Sequence, residues 1–237
     1  MLTGERWYIE RRFSGLTTED MTLTTRLPYT PASPPTILHA LRVSAVAGFL
    51  GALCWITAAV LFPTISDALD PTALDHGLAE LASHSALALA CQHLFALSDI
   101  AIIVFIFGLA SMEREFSLTW LGAFLLGINF ALDMLVAASV IAVTQFIAPH
   151  AAADPAMHAA GIATLGFGAV LDFREGFFAT AGWILLGGAA WHGRHWPRWL
   201  AALAVLNGIL WFPFLPFSFI LNGEVFAIWV LGMSVTL

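Results

Sequence analysis

Long apolar runs separated by short polar breaks dominate the hydrophobic pattern of the chain beyond residue 36. A helix of about 20 apolar residues, rising about 1.5 Å per residue, crosses a bilayer. The runs that reach this length predict six spans, at 39–63, 84–111, 118–147, 160–192, 198–217 and 220–236. Pro213 and Pro216 interrupt the fifth run, where proline kinks or ends a helix. The predicted fold class is an all-α, polytopic membrane helix bundle.

The N-terminal 36 residues do not share this pattern, because they are polar and rich in Thr and Pro. The first apolar core begins only at Val43, much later than in a secretory signal peptide. The chain is therefore predicted to have two parts. Residues 1–36 form a polar cytoplasmic tail, and residues 37–237 form a six-helix transmembrane domain.

Composition supports a membrane protein and excludes several classes of function. Only 11% of the residues are charged and 59% are hydrophobic, whereas soluble domains carry about 25% charged residues. The net charge of −7 argues against nucleic acid as a partner. All nine basic residues are Arg, so no lysine Schiff base with retinal or pyridoxal phosphate can form. Cys54 and Cys91 lie in apolar runs, where a free Cys behaves as a small hydrophobe.

The distribution of arginine predicts the orientation of the spans. Eight of the nine arginines fall on one side of the predicted topology: Arg6, Arg11, Arg12, Arg26, Arg42, Arg114, Arg194 and Arg198. The loops of the opposite side, 64–83 and 148–159, contain no Arg. Because cytoplasmic loops are enriched in Arg and Lys, both termini are predicted to lie in the cytoplasm. The expected location is a bacterial cytoplasmic (inner) membrane, which the chain crosses several times.

Three charges interrupt the fourth span within the stretch AVLDFREGFFATAGW: Asp172, Arg174 and Glu175. Arg174 is the ninth arginine, and it lies 18 residues before His192, which corresponds to about 27 Å along a helix. Counted in the same way, other polar residues of the second and third spans fall in roughly one depth band. The candidate ligand or proton site therefore comprises His93, Asp99, Asn129, Asp133, Asp172, Arg174 and Glu175.

Ionisable groups inside a span normally face the bundle interior or a water-filled cavity. We therefore expect Arg174 to face inward, or to mark a break at the outer membrane edge. Three interpretations are possible for these residues. They are structural ion pairing of Arg174 with carboxylates on other spans, a ligand or proton site, and a catalytic site. The fourth span also has a second interpretation, in which residues 157–171 form a surface or re-entrant helix and residues 173–192 form the span.

The histidines suggest two further hypotheses, both for cofactors. His76, Glu80 and His84 follow an i, i+4, i+8 spacing, so they could form a metal-binding stripe on one helix face. The alternative is a solvated amphipathic segment that leads into the second span. His93 could bind the metal of a pigment. Nucleophile-elbow, Walker A and dinucleotide-binding motifs are absent, which argues against several enzyme classes.

Three segments resemble a known family: GFLGALCWITAAVLFP, DFREGFFATAGWILLGG and GRHWPRWLAALAVLNGILW. Together they are similar to a widespread bacterial family of small six-span membrane proteins that is catalogued as a domain of unknown function. The PRWL element and Gly208 carry most of this resemblance, which covers roughly 39–217. The resemblance implies a six-span fold, no established activity and a shorter N-terminal tail than residues 1–36.

These features favour a non-catalytic integral membrane protein, acting as an accessory subunit of a larger membrane complex or as a binder of lipid or another apolar ligand. Two alternatives stay open. The first is a small proton-coupled transporter that uses the Asp, Arg and Glu cluster. The second is an intramembrane enzyme that acts on lipid and could depend on a metal ion. The partners expected are membrane lipids and other subunits of a membrane complex.

Overall fold

A computed structural model describes residues 34–61, 70–111, 118–193, 196–212 and 218–236. By its internal contacts the chain divides into the units Met1–Thr36 and Ile37–Leu237, and the architecture below is that of the second unit. Apart from residues 34–36, the predicted tail lies outside the described residues. The described part contains helices and no strand, so the prediction of an all-α bundle is confirmed.

The helices of the described residues are numbered here in chain order. They are α1 (Pro34–Leu61), α2 (Leu74–Ser83), α3 (Ser85–Ala110), α4 (Leu118–Ala142), α5 (Ala148–Ala151), α6 (Pro155–Gly193), α7 (Arg198–Leu210) and α8 (Ser218–Thr236). A π-helical turn, Val143–Ile147, joins α4 to α5. This wider turn precedes Pro149, which cannot donate a backbone hydrogen bond and would clash with the preceding turn of a regular helix.

Four helical segments are long and apolar enough to cross a membrane. They are His39–Leu61, Ser85–Ala110, Leu118–Ala151 and Pro155–Gly193. The apolar helices α7, with 13 residues, and Val225–Thr236 within α8 are shorter. A helix of 13 residues measures about 20 Å, which is less than the roughly 30 Å of a hydrocarbon core. The structure therefore supports a membrane bundle with four full-length candidate spans.

The helix α6 is continuous through the three charges that interrupt its apolar sequence. It runs for 39 residues from Pro155 to Gly193, or about 58 Å. The interpretation in which residues 157–171 form a separate surface or re-entrant helix is therefore wrong. The N-terminal half of α6 packs against α2, α5 and the π-helical turn, around buried residues that include Leu78, Ala148 and Leu165. A helix that is too long for one bilayer crossing is thus partly covered by neighbouring helices.

The C-terminal helix α8 supplies the centre of the bundle through Phe226 and Trp229, which are 2% and 0% exposed. Ring pairs join these two residues to the other helices: Trp55–Phe226 at 5.7 Å, Phe130–Phe226 at 6.2 Å, Trp183–Phe226 at 6.0 Å, Trp183–Trp229 at 4.6 Å and Phe105–Trp229 at 5.9 Å. Most of these pairs meet edge to face, an arrangement that aromatic rings favour. The indole N–H of Trp229 also donates to the Leu200 carbonyl oxygen of α7 at 2.9 Å.

Glycines bring the backbones of α4, α6 and α7 into direct contact. A Cβ atom on Gly122 would lie 2.8 Å from the Leu186 nitrogen, and one on Gly182 would lie 3.0 Å from the Gly122 carbonyl oxygen. On the other side of α6, a Cβ atom on Gly208 would lie 3.0 Å from the Ile184 nitrogen. Small residues allow helices in membranes to approach this closely. These contacts set the register of the three helices and so determine which side chains share one level.

Candidate functional site

The register of three helices places four carboxyl groups at one level of the bundle. Gly127 of α4 lies against Phe107 of α3, and Gly122 of α4 lies against Gly182 of α6. The helix α4 is antiparallel to both neighbours. Residues after Gly127 and Gly122 in α4 therefore lie beside residues before Phe107 in α3 and before Gly182 in α6. Asp133 therefore lies beside Asp99, and it also lies beside the turn of α6 that carries Asp172 and Glu175. The depth band inferred by counting along the helices is reproduced for these residues.

The four carboxyl groups of Asp99, Asp133, Asp172 and Glu175, named here the carboxylate cluster, interact with one another. The carboxyl groups of Asp99 and Asp133 lie within hydrogen-bonding reach of each other, and Asp133 also interacts with Asp172. Glu175 interacts with all three aspartates. Asp99 and Glu175 are only 1% and 2% exposed, whereas Asp133 and Asp172 are half-buried. The cluster is therefore shielded at Asp99 and Glu175 and more accessible at Asp133 and Asp172.

The prediction that Arg174 faces the bundle interior is wrong. Its side chain is exposed, and no carboxylate of the described chain segments forms an ion pair with it. The reason is helical geometry, because successive residues are rotated by about 100°. Arg174 is therefore rotated by about 200° from Asp172, and Glu175 by only about 60° in the opposite sense. The ion-pairing interpretation, in which Arg174 ties several spans together through these carboxylates, is wrong for the same reason.

His93 also lies away from the carboxylate cluster, and the prediction that places it there is wrong. Its side chain is exposed, and its Nδ1 lies 2.6 Å from the Leu89 carbonyl oxygen of its own helix. His93 precedes Asp99 by six residues, a rotation of about 240° that turns the two side chains to different faces of α3. Asn129 is 1% exposed and precedes Asp133 by one turn of α4, so it lies inside the bundle below the cluster. Binding of a pigment by His93 stays a prediction.

The three residues of the predicted metal stripe are not arranged to hold a metal ion together. His76 Nε2 and Glu80 Oε1 are 3.8 Å apart on α2, but His84 lies at the junction between α2 and α3. There the backbone leaves the helical conformation, with φ −118° and ψ 33°, and Ser83 Oγ contacts His84 Nδ1 at 2.9 Å. In the parts of the chain that the structure describes, no three His, Cys, Asp or Glu side chains are arranged to hold a metal ion.

Contacts at the same end of the bundle were not anticipated from the sequence. His158 Nε2 of α6 lies 3.2 Å from Asp75 Oδ1 of α2, and this pair links the two helices. Before α2, the hydroxyl and the backbone N–H of Thr72 donate to Asp70 Oδ1 at 2.7 and 2.8 Å. These two hydrogen bonds hold the pKa of Asp70 below its usual value. No sequence spacing indicates the His158–Asp75 pair, because its partners are more than 80 positions apart.

A hydrogen bond between two helices lies directly beside the carboxylate cluster. Ser98, the neighbour of Asp99, is 1% exposed and donates from Oγ to the Gly51 carbonyl oxygen of α1 at 2.9 Å. About two turns closer to the N-terminus of α3, the Cys91 thiol lies 3.4 Å from the Ala58 carbonyl oxygen of α1. These contacts hold α1 against the helix that carries Asp99. A polar residue adjacent to Asp99 was the only signal in the sequence that could have suggested this support.

Comparisons with known proteins return no family model, no curated protein and no solved structure that matches this chain. The resemblance to a six-span family therefore stays a prediction. The carboxylate cluster and its position within the helix bundle are the basis for the function proposed below.

Proposed function

We propose that this protein is an integral membrane protein that binds and releases protons at the carboxylate cluster, as a proton-coupled carrier does. The observation that carries the proposal is the contact between Asp99 and Asp133, two carboxyl groups from different helices within hydrogen-bonding reach. An ionised carboxylate can only accept hydrogen bonds. A hydrogen bond between two carboxyl groups therefore requires a proton on one of them.

Electrostatics supports protons as the species that neutralises the cluster. Charged groups in the low-dielectric interior of a membrane protein are unfavourable unless they are compensated. The guanidinium closest in sequence, that of Arg174, is exposed on the opposite side of α6. The carboxyl oxygens of the described residues are not gathered in a geometry that suits a metal ion. Protonation compensates such a cluster without requiring that the oxygens converge on one point.

The burial of the four carboxyl groups supports a path that reaches the cluster through Asp133 and Asp172. Both are half-buried, whereas Asp99 and Glu175 are buried. Towards one end of the bundle, the interior is filled by Trp183, Phe226 and Trp229, which are all at most 2% exposed. Protons would therefore enter the cluster through Asp133 and Asp172, from the side away from this aromatic core. Release to that end would require a rearrangement of the aromatic core, which is a requirement of alternating access.

We infer that the chain has six spans with both termini in the cytoplasm of a bacterium. The one-sided distribution of arginine supports this topology, and so do the apolar sequences of α7 and α8. A reporter that fluoresces only in the cytoplasm, fused to Leu237, is expected to fluoresce. A dark reporter in a fusion that is inserted and stable would contradict the six-span topology.

Infrared difference spectroscopy tests the proton-binding site in the purified full-length chain. At neutral pH the wild-type protein is expected to show the C=O stretch of a protonated carboxyl group. Asp99→Asn and Asp133→Asn are expected to remove or shift this band, because each removes one partner of the shared proton. Asp154→Asn serves as the control, since Asp154 is exposed and outside the cluster. A wild-type spectrum without a protonated carboxyl band would contradict the proposal.

A flux measurement distinguishes proton transfer from static protonation. Proteoliposomes that contain a pH-sensitive dye are expected to show a change in internal pH under an imposed membrane potential with the wild-type protein and with Asp154→Asn. The same change is expected to be lost with Asp133→Asn. An equal flux from Asp133→Asn would show that the cluster does not carry protons. The accessory-subunit, lipid-binding and enzyme hypotheses stay predictions, and stable partners that co-purify in mild detergent would support the first of them.

A further inference from the structure

Arg174 presents a positive charge on an otherwise apolar outer surface. Its exposed neighbours on α6 are Val170, Phe173 and Phe177, which are 56%, 40% and 37% exposed. The guanidinium of Arg174 forms no ion pair within the described segments of the chain. A charge in such a position needs a counter-charge from outside the bundle, or access to water, because lipid tails do not solvate it.

The register of the helices shows that this surface lies at a lipid-facing level. The contact between Gly122 and Gly182 places Arg174 within a turn of Leu132 on α4. Around the bundle, the exposed side chains near this level include Leu50 of α1, Ile100 of α3 and Leu135 of α4, which are 52%, 52% and 53% exposed. All three are aliphatic. The level of Arg174 is therefore part of the apolar belt that a bilayer covers.

The direction of the side chain brings the guanidinium towards one layer of lipid headgroups. In a helix the Cα–Cβ bond tilts towards the N-terminus, so the side chain of Arg174 extends towards the end of α6 that packs against α2 and α5. Arg174 lies 18 residues from His192, about 27 Å along the helix, and a hydrocarbon core is about 30 Å thick. A long cationic side chain at this depth extends its charged end to the headgroup layer.

Two phenylalanines beside Arg174, Phe173 and Phe177, form an aromatic wall that is partly exposed, at 40% and 37%. Phe173 and Phe177 meet edge to face at 5.8 Å, and Phe177 meets Phe212 at 6.4 Å. Because α7 ends at Leu210, close to the level of Phe177, its described residues do not extend along α6 to Arg174. A guanidinium above an aromatic wall is suited to a phosphate group with an acyl chain below it.

We propose that Arg174 binds the phosphate of an anionic phospholipid and that Phe173 and Phe177 contact its acyl chain. The planar guanidinium donates two parallel hydrogen bonds to phosphate oxygens. A second copy of the chain fits less well, because the exposed described residues of α1, α3 and α4 near this level are apolar and offer no carboxylate to Arg174. The site is independent of the proton-binding function, since Arg174 faces away from the carboxylate cluster.

Native mass spectrometry of the full chain, titrated with phosphatidylglycerol or phosphatidylcholine in detergent, tests this site. The wild-type protein is expected to retain phosphatidylglycerol preferentially. Arg174→Gln is expected to reduce that preference about tenfold, as expected for the loss of a charge-assisted contact, and Arg174→Lys to keep part of it. Arg198→Gln is the matched control, because Arg198 is exposed at the far end of the bundle, and it is expected to behave like the wild type.

An equal preference in Arg174→Gln and in the wild-type protein would overturn the proposal. A wild-type dimer that Arg174→Gln dissociates would also overturn it, in favour of contact between copies. A second measurement needs no variant. A photoactivatable phosphatidylglycerol is expected to label the peptide that contains Phe173 and Phe177 in the wild-type protein, and labelling confined to other peptides would contradict the site.

Discussion

At the scale of single residues, burial separates the charged side chains of α6 according to the face on which they lie. Glu175 is buried and Asp172 is half-buried, whereas Arg174 between them is exposed. The rotation of about 100° per residue is a property of any helix, so the sequence could have shown that Arg174 opposes the other two. It could not show which face is inside, because apolar residues occur on both faces of α6. Gly182, which contacts Gly122, is the residue that decides this.

The proposed proton between Asp99 and Asp133 predicts how substitutions at Asp99 change the free energy of unfolding. Asn at position 99 can still donate a hydrogen bond to Asp133 from its amide. We therefore expect Asp99→Asn to change the free energy of unfolding by less than about 1 kcal/mol. Leu at this position leaves Asp133 without that partner and is expected to lower it by about 1–3 kcal/mol. Denaturant unfolding in mixed micelles measures both values, and equal losses would contradict a hydrogen-bonding role.

At the scale of helices, the spans could be predicted from length and hydrophobicity, but their ends and contacts could not. The segment 84–111 agrees closely with α3, whereas α6 begins at Pro155 and α4 continues through a π-helical turn to Ala151. The predicted span 160–192 is already longer than one bilayer crossing, but length alone cannot show that α6 is continuous and that α2 and α5 pack against its additional turns. The predicted stripe of His76, Glu80 and His84 assumed one continuous helix, whereas α2 ends at Ser83 and α3 begins at Ser85.

The closeness of α4 and α6 can be tested by the same substitution at two glycines of α6. A Cβ atom on Gly182 would lie 2.6 Å from Leu126 Cγ, whereas one on Gly188 would meet no atom within 4 Å. We expect Gly182→Ala to lower the free energy of unfolding by about 1–3 kcal/mol through overpacking. Gly188→Ala is expected to raise it by up to about 1 kcal/mol, because Ala favours the helix. Equal effects in mixed-micelle unfolding would exclude backbone contact at Gly182.

At the scale of the whole molecule, the shortest of the predicted spans supplies the centre of the helix bundle. The segment 220–236 is short for a span, yet α8 carries Phe226 and Trp229, which contact aromatic residues of α1, α3, α4 and α6. An aromatic residue in an apolar segment can face either lipid or the core, and the sequence does not distinguish the two positions. Their role could therefore be assigned only from the contacts.

Two tryptophans allow the central role of α8 to be measured. Trp229 is 0% exposed, whereas Trp191 at the end of α6 is 48% exposed. Trp229→Ala is expected to lower the free energy of unfolding by about 3–5 kcal/mol, because it removes a large core side chain. Trp191→Ala is expected to have an effect of less than about 1 kcal/mol. Similar losses for both variants would show that α8 is not the centre of the core.

The amino-acid sequence alone was sufficient to predict a helical membrane bundle and a common depth for Asp99, Asp133, Asp172 and Glu175. Transfer of apolar residues into lipid and the constant rise of a helix are local properties, so both can be read along the chain. The tertiary structure decided that Arg174 and His93 face outward and that α8 lies in the middle. These features depend on how helices rotate about their axes to bring glycines and aromatic rings together, and no local property of the sequence contains that rotation.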